Sequence, residues 1–174
     1  MLLSSKAIVY GDDINTDLII AGKYTKTLNT GELAAHAMED LDPDFHKKSS
    51  GGAFLVAGEY FGCGSSREQA PVALIESGVL CVVAKSFSRI FYRNAINIGL
   101  PILECPQAAV EIEEGDEVQV NLSSGIISDV TTGRSYQAQP LPDFVLKIAD
   151  AGGMVAFLQE HDIEELMATA DGAA

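Results

Sequence analysis

The chain has 174 residues, 47% of them hydrophobic, and a formal net charge of -14. The length suits one domain with a real core, at roughly 100–200 residues per domain. The acidity argues against a surface for nucleic acid or for an anionic membrane, so an anion site here must be locally positive within a negative protein.

Residues 6–10 predict a first strand, and the polar run Gly11-Asp12-Asp13-Ile14-Asn15-Thr16-Asp17 predicts a turn-rich loop. Its three acids lack the central Gly and distal Glu of an EF-hand. Residues 18–27 carry no clear period. Tyr24-Thr25-Lys26-Thr27 is expected to be an exposed loop, mobile in the isolated chain. Thr30 reads as an N-cap, with Leu33, Ala34, Ala37 and Met38 forming one apolar helix face. His36 lies on that helix with no partner at ligand spacing. Asp42-Pro43 stops the helix, a short helical turn runs through Phe45, and residues 46–52 read as a basic surface connection.

The apolar run at residues 53–57 predicts a buried strand, and residues 71–76 predict a helix. Between them lies Gly58-Glu59-Tyr60-Phe61-Gly62-Cys63-Gly64-Ser65-Ser66-Arg67-Glu68-Gln69-Ala70. The glycines permit close backbone approach and positive φ. Ser65 or Ser66 is placed to cap the new helix, whose first N–H groups attract anions. Arg67 can grip a carboxylate by two parallel bonds. The stretch therefore reads as a carboxylate or phosphate site holding a hydroxyl, or as a plain strand-to-helix turn. It is not a GxxxxGK[ST] loop, it lacks the third glycine of the dinucleotide fingerprint, and it has no GxSxG elbow.

Residues 80–84 predict another buried strand, residues 85–99 a capped helix ending at Gly99, and residues 100–105 a third apolar run. Arg89 and Arg93 share a face of that helix. Strand, helix, strand, helix, strand implies a parallel sheet covered on both faces. Residues 118–122 and 125–130 then alternate, with a turn signal at 131–136, which predicts a small antiparallel meander. Helix resumes over 142–148, is interrupted at Gly152-Gly153 and continues over 154–158. The tail from about residue 162 is expected to fray. The reading is a single α/β domain over residues 1–174. The three cysteines, Cys63, Cys81 and Cys105, form no CxxC and no Cys/His pair at metal-ligand spacing. Reduced thiols in a cytoplasmic protein are expected, with no metal held by this chain. Residues 1–6 are too poor in apolar side chains for a signal peptide, and no apolar run approaches transmembrane length.

Four phrases together resemble the small subunits of the aconitase superfamily, the 3-isopropylmalate dehydratase small subunits in particular. They are Gly11-Asp12-Asp13-Ile14-Asn15-Thr16-Asp17, Gly62-Cys63-Gly64-Ser65-Ser66-Arg67-Glu68, residues 84–94 from Ala84-Lys85-Ser86-Phe87 to Tyr92-Arg93-Asn94, and Asn97-Ile98-Gly99-Leu100-Pro101. The resemblance covers most of residues 6–106 and implies a swivelling β/β/α domain with a largely parallel central sheet. Such a domain closes over a large subunit that carries a [4Fe–4S] cluster, in a heterodimer or heterotetramer. The implied chemistry is dehydration and rehydration of a hydroxy-dicarboxylate or tricarboxylate, and the implied pathway is leucine biosynthesis. Carried over, Ser65 is the base, Arg67 pairs with a substrate carboxylate, Ser66 donates to it, and Asp17 helps organise the serine region. Gly64 belongs to the substrate-binding turn. Thr25 and Lys26 match the segment that meets the substrate's variable end, where an apolar branch favours isopropylmalate and a carboxylate favours homoaconitate. A dimethylmalate-type diacid is a further alternative, and a stand-alone carboxylate-binding module is the alternative of another class. Gln69 departs from the histidine of many relatives.

Overall fold

Strand β1 (Leu2–Val9) changes partner halfway along its length. Its first half pairs antiparallel with β5 (Glu117–Asn121), and its second half pairs parallel with β2 (Ala53–Ala57). The sequence pattern predicts this strand only from Lys6 onward. It misses Leu2 to Ser5 because they lie partly in solvent and are held by the ladder to β5.

In this computed structural model, which describes residues 1–27, 29–162 and 164, the sheet grows outward from β1 in both directions. On one side lie β2, β3 (Val79–Ala84) and β4 (Ile102–Glu104), all parallel. On the other lie β5, β6 (Ile126–Asp129) and β7 (Arg134–Gln137), all antiparallel, giving the order β4-β3-β2-β1-β5-β6-β7. The expected parallel sheet with an antiparallel meander is therefore what forms, as one continuous sheet. Each residue of β2 is buried, as a strand covered on both faces must be. Alternate residues of the parallel strands feed two cores. Ile8, Leu55, Ala57, Val82 and Ala84 face one, and Ala7, Phe54, Val56, Cys81 and Val83 face the other.

The first core is covered by α1 (Thr16–Ile19), α2 (Thr30–Ala35), α3 (Phe45–Ser49), α4 (Gln69–Glu76) and α5 (Arg89–Asn97). The second is covered by α6 (Pro106–Glu111), α7 (Asp143–Asp150) and the inner face of the antiparallel strands. The last helix, α8 (Met154–Glu160), packs Phe157 beside Ile148. Each large apolar side chain so enclosed contributes about 1.5–3 kcal/mol. Among the described residues, no helix is long and apolar enough to cross a membrane.

Several local expectations change. The cap of α2 is Asn29, whose side chain accepts from the N–H groups of Gly31 and Glu32. That helix stops at Ala35, and Met38 takes φ 58°, so Ala37 and Met38 reach the core from a turn. Residues 46–49, expected in a surface connection, belong to α3 and bury Ser49. The helix predicted over 85–99 begins only at Arg89, capped by Ser88. Its first residues form a bridge between Phe87 and Phe61 instead. The fraying expected from about residue 162 falls almost wholly outside the described residues.

Candidate active site

Three loops leave the carboxyl ends of β1, β2 and β3 and interlock, where open parallel sheets gather ligands. Gly62 N–H donates to Ile14 O at 2.8 Å, and Thr16 N–H donates to Cys63 O at 2.8 Å, which joins the first loop to the second. Phe61 N–H donates to Ser86 O, and Ser88 N–H returns to Phe61 O, which joins the second to the third. Gly58 is required here. A Cβ at that position would lie 1.8 Å from Asp12 Oδ1, and that oxygen accepts from Glu59 N–H at 2.8 Å. Lys85 Nζ lies 3.7 Å from the same oxygen.

Residues 65–69 line an open cleft of about 420 Å³. Ser65 and Ser66 are exposed. Neither caps a helix, contrary to expectation, because α4 starts at Gln69 and no side chain caps it. The serines sit earlier, on the bend set by positive φ at Gly62 and Gly64. The N–H of Ser65 donates to Thr16 Oγ1 at 3.1 Å, and its hydroxyl lies 3.1 Å from that oxygen. The N–H groups of Ser66, Arg67 and Glu68 have no acceptor among the described residues. Asn94, on α5, donates to Ser66 O at 3.4 Å and ties the loop from behind.

Arg67 Nη1 lies 2.6 Å from Asp17 Oδ1. The guanidinium is 23% exposed and the carboxylate 66%. The other terminal nitrogen rests 3.4 Å from where a Cβ on Gly22 would be. Asp17 is aimed by its own helix. Asn15 accepts from the N–H groups of Asp17 and Leu18 at 2.9 and 3.0 Å, which caps α1. A carboxylate in the first turn also suits the helix dipole. Three of the residues expected at a site, Ser65, Ser66 and Arg67, thus line one cleft, with Gly64 in its turn and Asp17 joined to it through Arg67.

The expected specificity loop, Tyr24 to Thr27, leaves a short 3-10 turn and is only partly exposed, with Tyr24, Thr25 and Thr27 half-buried. Gly22–Tyr24 form a 3-10 turn. Tyr24 stacks on His36 with ring centroids 3.8 Å apart, and Lys23 pairs with Glu39 at 3.4 Å. Burial opposes ionisation of Glu39, but bonds from His36, Tyr24 and Lys23 outweigh it and hold its pKa below the usual value. Gln69 Nε2 donates to Thr25 O at 3.3 Å, so the cleft holds Thr25 through its backbone. Lys26 is exposed, is not among the cleft-lining residues, and makes no hydrogen bond or ion pair among the described residues.

Sequence reasoning missed Thr16, Asn15, Asn94 and the tether formed by Gln69. Thr16 stood in view beside Asp17, but a threonine in a polar loop reads as solvated. No group of three or more His, Cys, Asp or Glu side chains among the described residues could hold a metal ion. Cys81 and Cys105 are buried, and burial pushes the Cys81 thiol far up. Only Cys63, half-buried, stands in the site turn. These residues do not fit an iron–sulfur cluster.

The aconitase C-terminal domain family matches residues 7–108. A 2,3-dimethylmalate dehydratase small subunit from Eubacterium barkeri is 56% identical, covering 86% of this chain and 91% of its own. A 3-isopropylmalate dehydratase small subunit from Caldicellulosiruptor bescii is 54% identical, covering 91% of this chain and 96% of its own. The crystal structure of a 3-isopropylmalate dehydratase from Methanocaldococcus jannaschii superposes with a TM-score of 0.86 at 40% identity, covering 99% of this chain and all of that one.

Proposed function

This chain belongs to the aconitase C-terminal domain family, and we propose that it is the small subunit of a hydro-lyase interconverting 2-isopropylmalate and 3-isopropylmalate in leucine biosynthesis. One observation carries the reading: among the described residues, a hydroxyl, N–H groups without an acceptor and an arginine converge on one cleft, and no group of three or more metal-binding side chains does. That is half of an active site. The other half, with a [4Fe–4S] cluster, is assigned to a large subunit, over which this domain would close.

In this reading a substrate carboxylate pairs with the donors that Arg67 keeps free of Asp17, and the Ser66 hydroxyl donates to it. Ser65 Oγ takes the proton from the carbon beside that carboxylate. The C–H electron pair becomes the new double bond as hydroxide leaves the neighbouring carbon on the partner's side. Water then adds back with the two positions exchanged, and Ser65 returns the proton. A serine hydroxyl is a poor base at its ordinary pKa, so its alkoxide must be stabilised. The unpaired N–H groups after Ser65 and the Arg67 charge are available for that. Asp17 holds the guanidinium so that it need not be ordered on binding.

A second reading, 2,3-dimethylmalate as substrate, is favoured by the 56% identical relative of that name. Both diacids end in an apolar branch, so the anion-binding residues serve either. A third carboxylate, as in homoaconitate, would need Lys26 turned toward the cleft. The test is anaerobic reconstitution with the large subunit and its cluster, following the unsaturated intermediate in the ultraviolet with each acid offered separately. Turnover of isopropylmalate, abolished by Ser65→Ala with substrate binding nearly intact and by Arg67→Ala with binding lost, is the expected result. Preference for dimethylmalate or homoaconitate would move the substrate assignment. Undiminished turnover by Ser65→Ala would remove the serine from the chemistry, and binding without turnover of any acid would leave only a carboxylate-binding module.

A further inference from the structure

Thr16 is the buried polar side chain nearest the reacting hydroxyl, with 1% of its surface exposed. Its backbone is fixed on both sides. Its N–H donates to Cys63 O at 2.8 Å, and its carbonyl accepts from Ile20 N–H at 3.0 Å. Its side chain is β-branched and therefore stiff at χ1. Gly64 leaves it room, since a Cβ there would stand 3.3 Å from Thr16 Oγ1.

A threonine hydroxyl has one proton and two lone pairs. The N–H of Ser65 occupies one lone pair of Thr16 Oγ1 at 3.1 Å. The Thr16 proton then needs an acceptor, as buried donors do, and the only acceptor among its described contacts is Ser65 Oγ at 3.1 Å. Ser65 is exposed and can give its own proton to water or to a ligand. The direction of the shared bond is therefore set from the buried side: Thr16 donates and Ser65 accepts. A donor aimed at the serine oxygen favours its deprotonated form.

We infer that Thr16 is the positioning residue of the site, a fixed buried donor that holds Ser65 Oγ toward the cleft and stabilises its alkoxide. The inference rests on Ser65 acting as the base in the reading above. It also predicts behaviour of the isolated subunit that needs no turnover.

In the reconstituted enzyme, Thr16→Val keeps the shape and removes the donor. The expected result is a fall in kcat of roughly 10²-fold, the scale for losing one donor to a reacting oxyanion. KM should change less than about threefold, and the acid limb of the pH–rate profile should move to higher pH. Thr16→Ser should recover most of the loss. Full activity of Thr16→Val, or no recovery by Thr16→Ser, would overturn the inference. A second measurement covers poor folding of the valine variant. In a Cys63→Ala background, the thiol introduced by Ser65→Cys can be titrated in the isolated subunit by its thiolate absorbance. Replacing Thr16 with serine should leave that titration within a few tenths of a pH unit, and replacing it with alanine should raise it by about one unit. Equal titration with threonine, serine and alanine at position 16 would refute the donor role whatever the activity. If Ser65→Ala keeps turnover while the titration behaves as expected, the base assignment fails and the Thr16 contact stands.

Discussion

Gly62→Ala tests how tightly the three-loop junction is packed. Gly62 has φ 75°, which an L-residue adopts at a cost of about 1–2 kcal/mol. A Cβ there would lie 2.1 Å from Phe91 Cγ and 2.4 Å from Phe91 Cβ. Phe91 has little room to retreat. It is 2% exposed, and its ring is 5.2 Å from that of Phe61 and 6.3 Å from that of Phe87. Gly62 cannot retreat either, because its N–H donates to Ile14 O and its carbonyl accepts from Ser88 Oγ at 2.7 Å. Overpacking a core by one methyl costs about 1–3 kcal/mol. The two effects together predict a loss of about 2–5 kcal/mol. For a chain of this size that is a fall in Tm of about 5–15 °C, measured by thermal unfolding of the isolated subunit. Combining Gly62→Ala with Phe91→Leu should give less than the sum of the two losses, by about 1 kcal/mol or more, since the neighbour is smaller. A Gly62→Ala subunit melting within about 2 °C of the parent would show that the junction yields and does not hold the bend that carries Ser65 rigid.

Arg67→Lys keeps a charge near Asp17 but loses the planar fork. KM for the diacid should rise about 10-fold to 100-fold, with little change in the melting temperature of the subunit. Asn15→Ala removes the cap of α1 and should destabilise the chain by about 1 kcal/mol. It should also slow turnover, because the same cap aims Thr16 and Asp17. Asp42 accepts from the Tyr10 hydroxyl at 2.9 Å and from Lys48 Nζ at 2.7 Å. Burial opposes its ionisation, but these bonds outweigh it and hold its pKa below the ordinary value. Folding is therefore favoured by its charge above the unfolded carboxylate pKa of about 4. That contribution fades as the pH falls through the lower, folded value. Asp42→Asn should lower stability by about 1–2 kcal/mol at pH 7 and flatten the acid limb of a stability–pH curve, and an unchanged acid limb would show that Asp42 does not supply it.

Much of this protein is local and was legible in the order of its residues. Residues 53–57 are apolar without interruption, and such a run is buried on both faces or is not a strand. The alternation at residues 118–122 marks a strand with one wet face, and β5 has one. Glycine at positions 62 and 64 forecast the positive φ that turns the loop. Where caps and turns compete at short range, residue type alone does not decide the boundary. Asn29 displaced Thr30 as a cap, and Ser88 began a helix that composition alone would start earlier.

The site divides along the same line. The residue types that can grip an anion or offer a hydroxyl are written in residues 64–67. Which of them work together is not, because their partners are remote in the chain. Thr16 lies 49 residues from Ser65, and Asp17 lies 50 from Arg67. These pairs exist because β1 and β2 are parallel and in register, so that both loops leave the same end of the sheet. That register is set by burying alternate faces of every strand in two cores at once, a condition on the whole sheet and not on either loop. Burial of Thr16 is decided the same way. In sequence it is one more polar residue of a turn, and only the closing of the second loop over it makes its hydroxyl a donor with a single place to go.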